Sequence, residues 1–205
     1  MFDIESKIDR AQLYPELVEV LVQTYKQGEK ILDVGCAGGH FYLTLSRAIQ
    51  SLDYTGVDIT PAYIDFAREK FPGVPFSVGD VRKLPFPDKS FDTVLCLFVL
   101  IHLDEEGVRE AVRELTRVAK HQVIFAGYFA TKRVYGGQTT DGNDFIYDVV
   151  NVEELRTEGW ALEISEEDGP PRLMKVGADL QGVDGGVYGF EYNLPVKSYA
   201  RLVKE

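Results

Sequence analysis

Three stretches of this sequence carry residues whose types and spacing can bind a small polar molecule. The first is Asp33-Val34-Gly35-Cys36-Ala37-Gly38-Gly39-His40, a glycine-rich turn between an apolar strand-like run and a helix-like one. Glycine has no Cβ, so a ligand can approach the backbone there, and the free N–H groups that open a helix point at it. The second is Asp58, which follows Gly35 by about the 20 residues at which dinucleotide sites place a ribose-binding acid. The third is Val78-Gly79-Asp80-Val81, which ends in another acid after a short apolar run. His102, in Leu100-Ile101-His102-Leu103, adds an imidazole suited to general-base work on a phenol or protonated amine. The dinucleotide fingerprint G-x-G-x-x-G is not met: counted from Gly35, its second and third glycine positions hold Ala37 and His40. Cys36 and Cys96, the only cysteines, each sit in an apolar stretch and read as reduced core thiols, with no Cys/His spacing for a metal.

These residues need a frame, and the hydrophobic pattern supplies one. Leu17, Val18, Leu21, Val22 and Tyr25 recur at helical spacing after Pro15, and Gly28 closes that segment. Strands are expected at Lys30 to Val34, Tyr54 to Asp58, Val74 to Val78, Phe91 to Phe98 and Val123 to Phe129, alternating with helices at Phe41 to Ile49, Ala62 to Lys70 and the segment after Asp104. Phe91 to Phe98 is almost continuously apolar, as a central strand covered on both faces must be. Thr60-Pro61 is expected to cap one helix through the threonine side chain, and Asp104 to cap the helix whose one face carries Val108, Val112, Leu115 and Val118. Further on, Asn151 to Leu155 starts a short helix, Trp160 to Ile164 makes a sixth strand, and Tyr188 to Val203 contains a seventh, the last two pairing as an antiparallel hairpin. Alternation of this kind specifies an α/β fold with a mostly parallel sheet. Ligands bind such sheets at the carboxyl ends of the strands, where Asp33, Asp58 and Asp80 all fall.

The chain has 205 residues, 45% hydrophobic and 12% aromatic, enough for one sizeable core. Its net charge of −11 repels a phosphate backbone, so no nucleic-acid partner is expected. The longest apolar run, Val94 to Ile101, is too short to span a bilayer, so no membrane partner is expected either. Met1-Phe2-Asp3-Ile4-Glu5 is acidic and lacks a basic leader, which makes a cytoplasmic location the expectation. Ten of the 19 glycines follow residue 130. Within that loop-rich part, Tyr128, Lys132-Arg133 and Tyr135 lie where they could line an acceptor pocket, and the glycine- and proline-rich Asp168 to Gly189 reads as an insertion serving as lid or oligomer contact. His121, ahead of the fifth strand, is expected to face solvent, and His40 to contact a ligand or close the turn.

Taken jointly, the D-V-G-C-x-G-G turn at 33–39, the Asp58 strand, the G-D-V at 79–81 and the F-D-T-V-L at 91–95 resemble the class I S-adenosylmethionine-dependent methyltransferases. The likeness runs from about Lys30 to Phe129 and is greatest to the broad small-molecule group of type 11 that includes quinone-biosynthesis methyltransferases. It implies a Rossmann-like, doubly wound, seven-stranded and mostly parallel sheet with a C-terminal antiparallel hairpin. It also implies a single methyltransferase domain over 1–205, with a covering helix in 1–28, a cofactor-binding core in 29–130, and acceptor-side loops, short helix and hairpin in 131–205. S-adenosyl-L-methionine is the implied cofactor and a small molecule the implied methyl acceptor, with a homodimer left open.

By the same resemblance, Asp33, Gly35, Cys36, Ala37, Gly38 and Gly39 wrap the methionine part of the cofactor. Asp58 accepts both ribose hydroxyls, with Ile59 beside it; Asp80 accepts from the adenine amino group while the Val81 N–H faces a ring nitrogen. The backbone at Cys96 and Leu97 meets the methionine ammonium, and His102 is the catalytic candidate. Ala37 stands where the family usually has glycine, which implies a shifted contact. The apolar Cys96-Leu97-Phe98-Val99 suits an apolar or aromatic acceptor. Two other readings stay open: a non-catalytic S-adenosylmethionine-binding regulatory module, and a nucleotide-cofactor oxidoreductase, which Ala37 and His40 disfavour.

Overall fold

Five parallel strands form the frame of the computed structural model, which describes residues 15–127, 129–130, 150–164 and 199–204. In chain order they are β1 (Lys30–Val34), β2 (Asp53–Asp58), β3 (Phe76–Val78), β4 (Phe91–Leu97) and β5 (Ala119–Ala126). In space they run β3-β2-β1-β4-β5. Two short strands, β6 (Phe129–Ala130) and β7 (Val150–Asn151), pair with each other in parallel. Next to β5 the sheet continues with β9 (Tyr199–Lys204), antiparallel to it, and then β8 (Trp160–Ile164), antiparallel to β9.

Period-two alternation divides the strand side chains between two cores. Ile31, Leu95, Leu97 and Ile124 pack with Leu17 and Leu21 of α1 (Pro15–Thr24), Phe41 and Leu45 of α2 (His40–Ala48), and Ile64 and Ala67 of α3 (Pro61–Lys70). Leu32, Val34, Val94, Cys96, Val123 and Phe125 pack on the opposite face with Val108, Val112, Leu115 and Val118 of α4 (Glu105–Val118). Helices on both faces leave every residue of β4 buried, which is why its sequence needs no polar face.

Asp104 caps α4 as the sequence predicts, its Oδ1 accepting from the Gly107 N–H at 2.8 Å. The expected Thr60 cap is corrected: its side chain makes no capping bond. The Thr60 N–H instead donates to Asp58 Oδ1 at 2.8 Å, and its carbonyl accepts from Tyr63 and Ile64. Strand β3 starts at Phe76 rather than Val74, because Val74 is held in a turn by its N–H bond to the Phe71 carbonyl. Strand β5 starts four residues earlier than expected, as α4 runs directly into it, and ends at Ala126, while Phe129 pairs with Val150. Residues Val152–Leu155 form a 3-10 turn, opened by the Glu153 N–H donating to Asn151 Oδ1. Of the stretch expected to hold the seventh strand, 199–203 lie in β9 and the remainder lies outside the described residues, as do Tyr128, Lys132, Arg133, Tyr135 and the 168–189 insertion. No helix among the described residues is long and apolar enough to cross a membrane.

Charged groups pin the segment that follows β3. Arg117 of α4 donates to the carbonyls of Leu84 and Phe86 and to the carboxylates of Asp88 and Glu114. Glu114 in turn accepts from the Leu84 N–H at 2.8 Å. The path from Asp80 back to β4 is therefore anchored to a helix. At the opposite edge of the sheet, Asp92 accepts from the Lys30 N–H and from Lys120 Nζ, and exposed His121 lies 3.7 Å away.

Candidate functional site

The strand register brings four carboxyl ends to one edge. Val34 pairs with Val57 and with Cys96, and Asp58 pairs with Val78, so the segments that begin at Gly35, Asp58, Gly79 and Phe98 leave the sheet side by side. The glycine turn is fastened to β2, since the N–H groups of Gly35 and Cys36 both donate to the Val57 carbonyl, at 2.7 and 3.1 Å. Gly35 has φ +82, and a Cβ there would stand 2.2 Å from Val99 Cγ2. Conformation and space both demand glycine at this point. Gly39 at φ +79 caps α2, and Ala37 also lies in the left-handed region at φ 46, which is the physical reason glycine suits its position. The His40 ring packs against Gly38, so it supports the turn.

The acids differ in what they hold. Asp33 is 1% exposed and accepts from the Tyr54 hydroxyl of β2, bracing the turn from below. Asp58 is 8% exposed and binds two loops together: Oδ2 accepts from the Ala37 N–H at 2.9 Å and Oδ1 from the Thr60 N–H. A carboxylate has about four acceptor positions, so Asp58 keeps about two for a ligand. Asp80 is half-buried and held by Arg82, whose side chain donates to both of its oxygens. That ion pair pulls its carboxyl below the usual range. Ile59 and Val78, at the ends of β2 and β3, are apolar yet exposed, at 63% and 46%. Val81 is buried.

Neither thiol is a nucleophile. Burial, reinforced by the negative charge of Asp33, pushes both Cys36 and Cys96 far up, and Asp58 adds to the effect at Cys36. Cys96 and Leu97 are buried at the end of β4, and the next residue, Phe98, turns at φ 59 while its N–H donates to the Ala126 carbonyl. That turn carries Val99 over Gly35 and leads to the 3-10 turn Leu100–His102. Desolvation there lowers the His102 imidazole from its ordinary 6.5, which favours its neutral form.

Asp33, the 35–39 turn, Asp58, Ile59, Asp80, Cys96 and Leu97 thus gather at one sheet edge, with His102 beyond β4. Sequence reasoning missed Tyr54 and Arg82 as partners of two of these acids. The D-x-R spacing of Asp80 and Arg82 was a legible signal, because an Asp side chain commonly binds the backbone two residues on. Tyr54 had no comparable signal. Among the described residues no cluster of His, Cys, Asp and Glu could hold a metal.

Comparison with known proteins bears on the same segment. Residues 31–122 match a family model described as a methyltransferase domain. The uncharacterized methyltransferase YcgJ of Bacillus subtilis is 40% identical over 101 residues, 47% of this chain and 38% of that protein. A fatty-acid O-methyltransferase of Mycolicibacterium smegmatis is 41% identical over 71 residues, 34% of this chain and 26% of that protein. The chain therefore spans well under half the length of these curated relatives. Among solved structures, magnesium protoporphyrin IX methyltransferase from Synechocystis PCC 6803 with bound SAH superposes with a TM-score of 0.62 at 17% identity, covering 96% of this chain and 84% of that one. At that identity the likeness speaks for the fold.

Proposed function

The chain belongs to the class I S-adenosylmethionine-dependent methyltransferases, and from that premise we propose that it transfers the methyl group of S-adenosylmethionine to a small-molecule acceptor. The observation that carries the reading is Asp58. One buried carboxylate ties the glycine turn to the loop after β2 and retains acceptor positions that match a ribose diol. The residues around it suit this cofactor. Three acids at the edge favour a sulfonium and an ammonium and would repel a pyrophosphate, and the left-handed φ of Gly35 and Gly39 holds the turn in a tight shape that presents backbone at that edge.

In this reading the bound cofactor supplies a methyl group already activated for in-line displacement, so the protein's own work is proximity and exclusion of water. The 35–39 turn and the backbone at Cys96 and Leu97 hold the methionine end. Asp58 holds the ribose, exposed Ile59 gives the base an apolar surface, and Asp80 and the Val81 N–H read its edge. His102, whose neutral form is favoured by desolvation, takes a proton at its imidazole nitrogen from an acceptor that needs one removed. The apolar residues 96–99 favour an apolar or aromatic acceptor, a chemistry shared by the fatty-acid and porphyrin methyltransferases named above. We read the β8–β9 pair as the hairpin that completes a seven-stranded sheet in a single domain, acting in the cytoplasm and free to form a homodimer.

Calorimetric titration with S-adenosylmethionine and S-adenosylhomocysteine tests the reading. Micromolar binding by the native chain that is lost in Asp58→Ala supports it, and acceptors are then screened by a mass gain of one methyl group. Absence of binding to either compound would sink the proposal. Transfer that persists in His102→Gln with an unchanged pH profile would remove His102 as the base.

A further inference from the structure

A carboxylate stands in the apolar layer beneath the 35–39 turn. Asp33 lies on the same face of β1 as Ile31, directly across from Gly56 of β2 and Leu95 of β4. The space over Gly56 is filled by the Phe76 ring and the Cys36 thiol, and Asp33, at 1% exposure, is shut off from water. Its charge acts on Cys36 in the turn and on Cys96 at the end of β4, the two segments assigned to the methionine end of the cofactor. Tyr54 reaches this acid from β2, its hydroxyl donating to Asp33 Oδ2. The Tyr54 ring is 2% exposed and fixed from two sides, with ring centroids of Tyr42 at 5.1 Å and Phe76 at 6.0 Å. Phenylalanine would fill the same space, and a buried hydroxyl is unfavourable without a partner. What the phenol adds is a donor aimed at a carboxylate that water cannot reach.

We propose that Tyr54 is a positioning residue of the methionine subsite: its phenol fixes the direction and the charge of Asp33, and through Asp33 it gives the site a preference for a ligand that carries an α-ammonium. This inference rests on the cofactor assignment above. In a layer of low dielectric a carboxylate acts on a nearby cation far more strongly than it would in water. Without the phenol no water takes its place, so the carboxyl turns to another donor or becomes neutral, and either change draws negative charge away from the ammonium.

The test is calorimetric titration of the native chain, Tyr54→Phe, Asp33→Asn and the double variant with S-adenosylhomocysteine and with its analogue carrying hydrogen in place of the α-ammonium. The two ligands differ in that group alone, so a turn that has merely loosened weakens both. Tyr54→Phe is expected to bind S-adenosylhomocysteine about three- to tenfold more weakly, the range that a single hydrogen bond covers in an equilibrium constant, with the deaminated analogue unchanged. Asp33→Asn keeps an oxygen for the phenol but removes the charge, so it should narrow the preference at least as far, and adding Tyr54→Phe to it should narrow the preference no further. Equal weakening of both ligands by Tyr54→Phe, unchanged or tighter binding of S-adenosylhomocysteine, or further narrowing in the double variant overturns the positioning role. A Tyr54→Phe chain without a cooperative melt overturns it too, and makes the phenol a folding element. Failure of the native chain to bind either compound overturns the cofactor assignment itself, and the inference with it.

Discussion

Replacing Asp58 by alanine separates two roles that the same carboxylate plays. In the free protein it accepts from the N–H groups of Ala37 and Thr60, at 2.9 and 2.8 Å, and it is 8% exposed. Orphaning a buried donor costs about 1–3 kcal/mol. Both donors lie near the mouth of the site, where water can reach them, so the lower figure applies and the two together cost about 2 kcal/mol. For a chain of this size each kcal/mol shifts Tm by about 2–4 °C, so Asp58→Ala should melt about 4–8 °C below the native protein without ligand. Hydrogen bonds to a charged acceptor are worth about 1.5–3 kcal/mol, and losing even one from a ribose hydroxyl weakens binding more than tenfold. Asp58→Asn keeps one carbonyl oxygen but turns an NH₂ toward one of the backbone donors, so its Tm should fall between the other two while the affinity still drops more than tenfold. Differential scanning calorimetry without ligand and titration with S-adenosylhomocysteine read the two effects independently. A native Tm in Asp58→Ala would refute the bracing role, and native affinity would refute the ribose role.

Three further perturbations follow from the same geometry. Gly35→Ala combines a left-handed φ with a Cβ 2.2 Å from Val99 Cγ2, and should cost about 3 kcal/mol from strain and overpacking; adding Val99→Ala should recover the steric part alone, and a double variant no more stable than the single one would contradict this. Ala37→Gly relieves a left-handed alanine at φ 46, a gain of about 1–2 kcal/mol that outweighs the about 0.4–1 kcal/mol of added unfolded-chain freedom, and should raise Tm by about 1–4 °C; an unchanged or lower Tm would show that the alanine methyl packs usefully. Glu114 is held below its ordinary 4.5 by its bond to Arg117, so its contribution is fully present above about pH 4.5 and is lost as the pH falls through the lowered value. Glu114→Gln should accordingly flatten the acid limb of a Tm-against-pH curve, and an unchanged slope would place the acid sensitivity elsewhere.

Much of the fold was legible because its causes are local. Apolar period determines whether a segment is strand or helix, and the seven apolar-rich residues of β4 could only be a strand covered on both faces. The acid at Asp104 predicted its own cap because a helix start and its capping side chain lie within three residues. The Thr60 side chain does not cap because the Thr60 carbonyl takes the Tyr63 and Ile64 N–H groups, while Asp58, two residues back, accepts the Thr60 N–H with one oxygen and reaches the 35–39 turn, 21 residues earlier, with the other. Strand ends went wrong where a neighbour decides the pairing, as at Phe129, which pairs with Val150 instead of extending β5.

By itself the sequence determined that Asp33, Asp58 and Asp80 each fall at or next to the carboxyl end of an apolar strand, and in a parallel sheet such ends lie at one edge. Only the tertiary structure decided what each acid does there. Tyr54 takes Asp33 into the core, two loops share Asp58, and Arg82 pairs with Asp80. Hydrogen-bond partners are chosen by side-chain direction and competition among donors that the folded chain brings together. Type and spacing along the chain specify where an acid stands, whereas the number of its acceptor positions still open depends on every donor within reach.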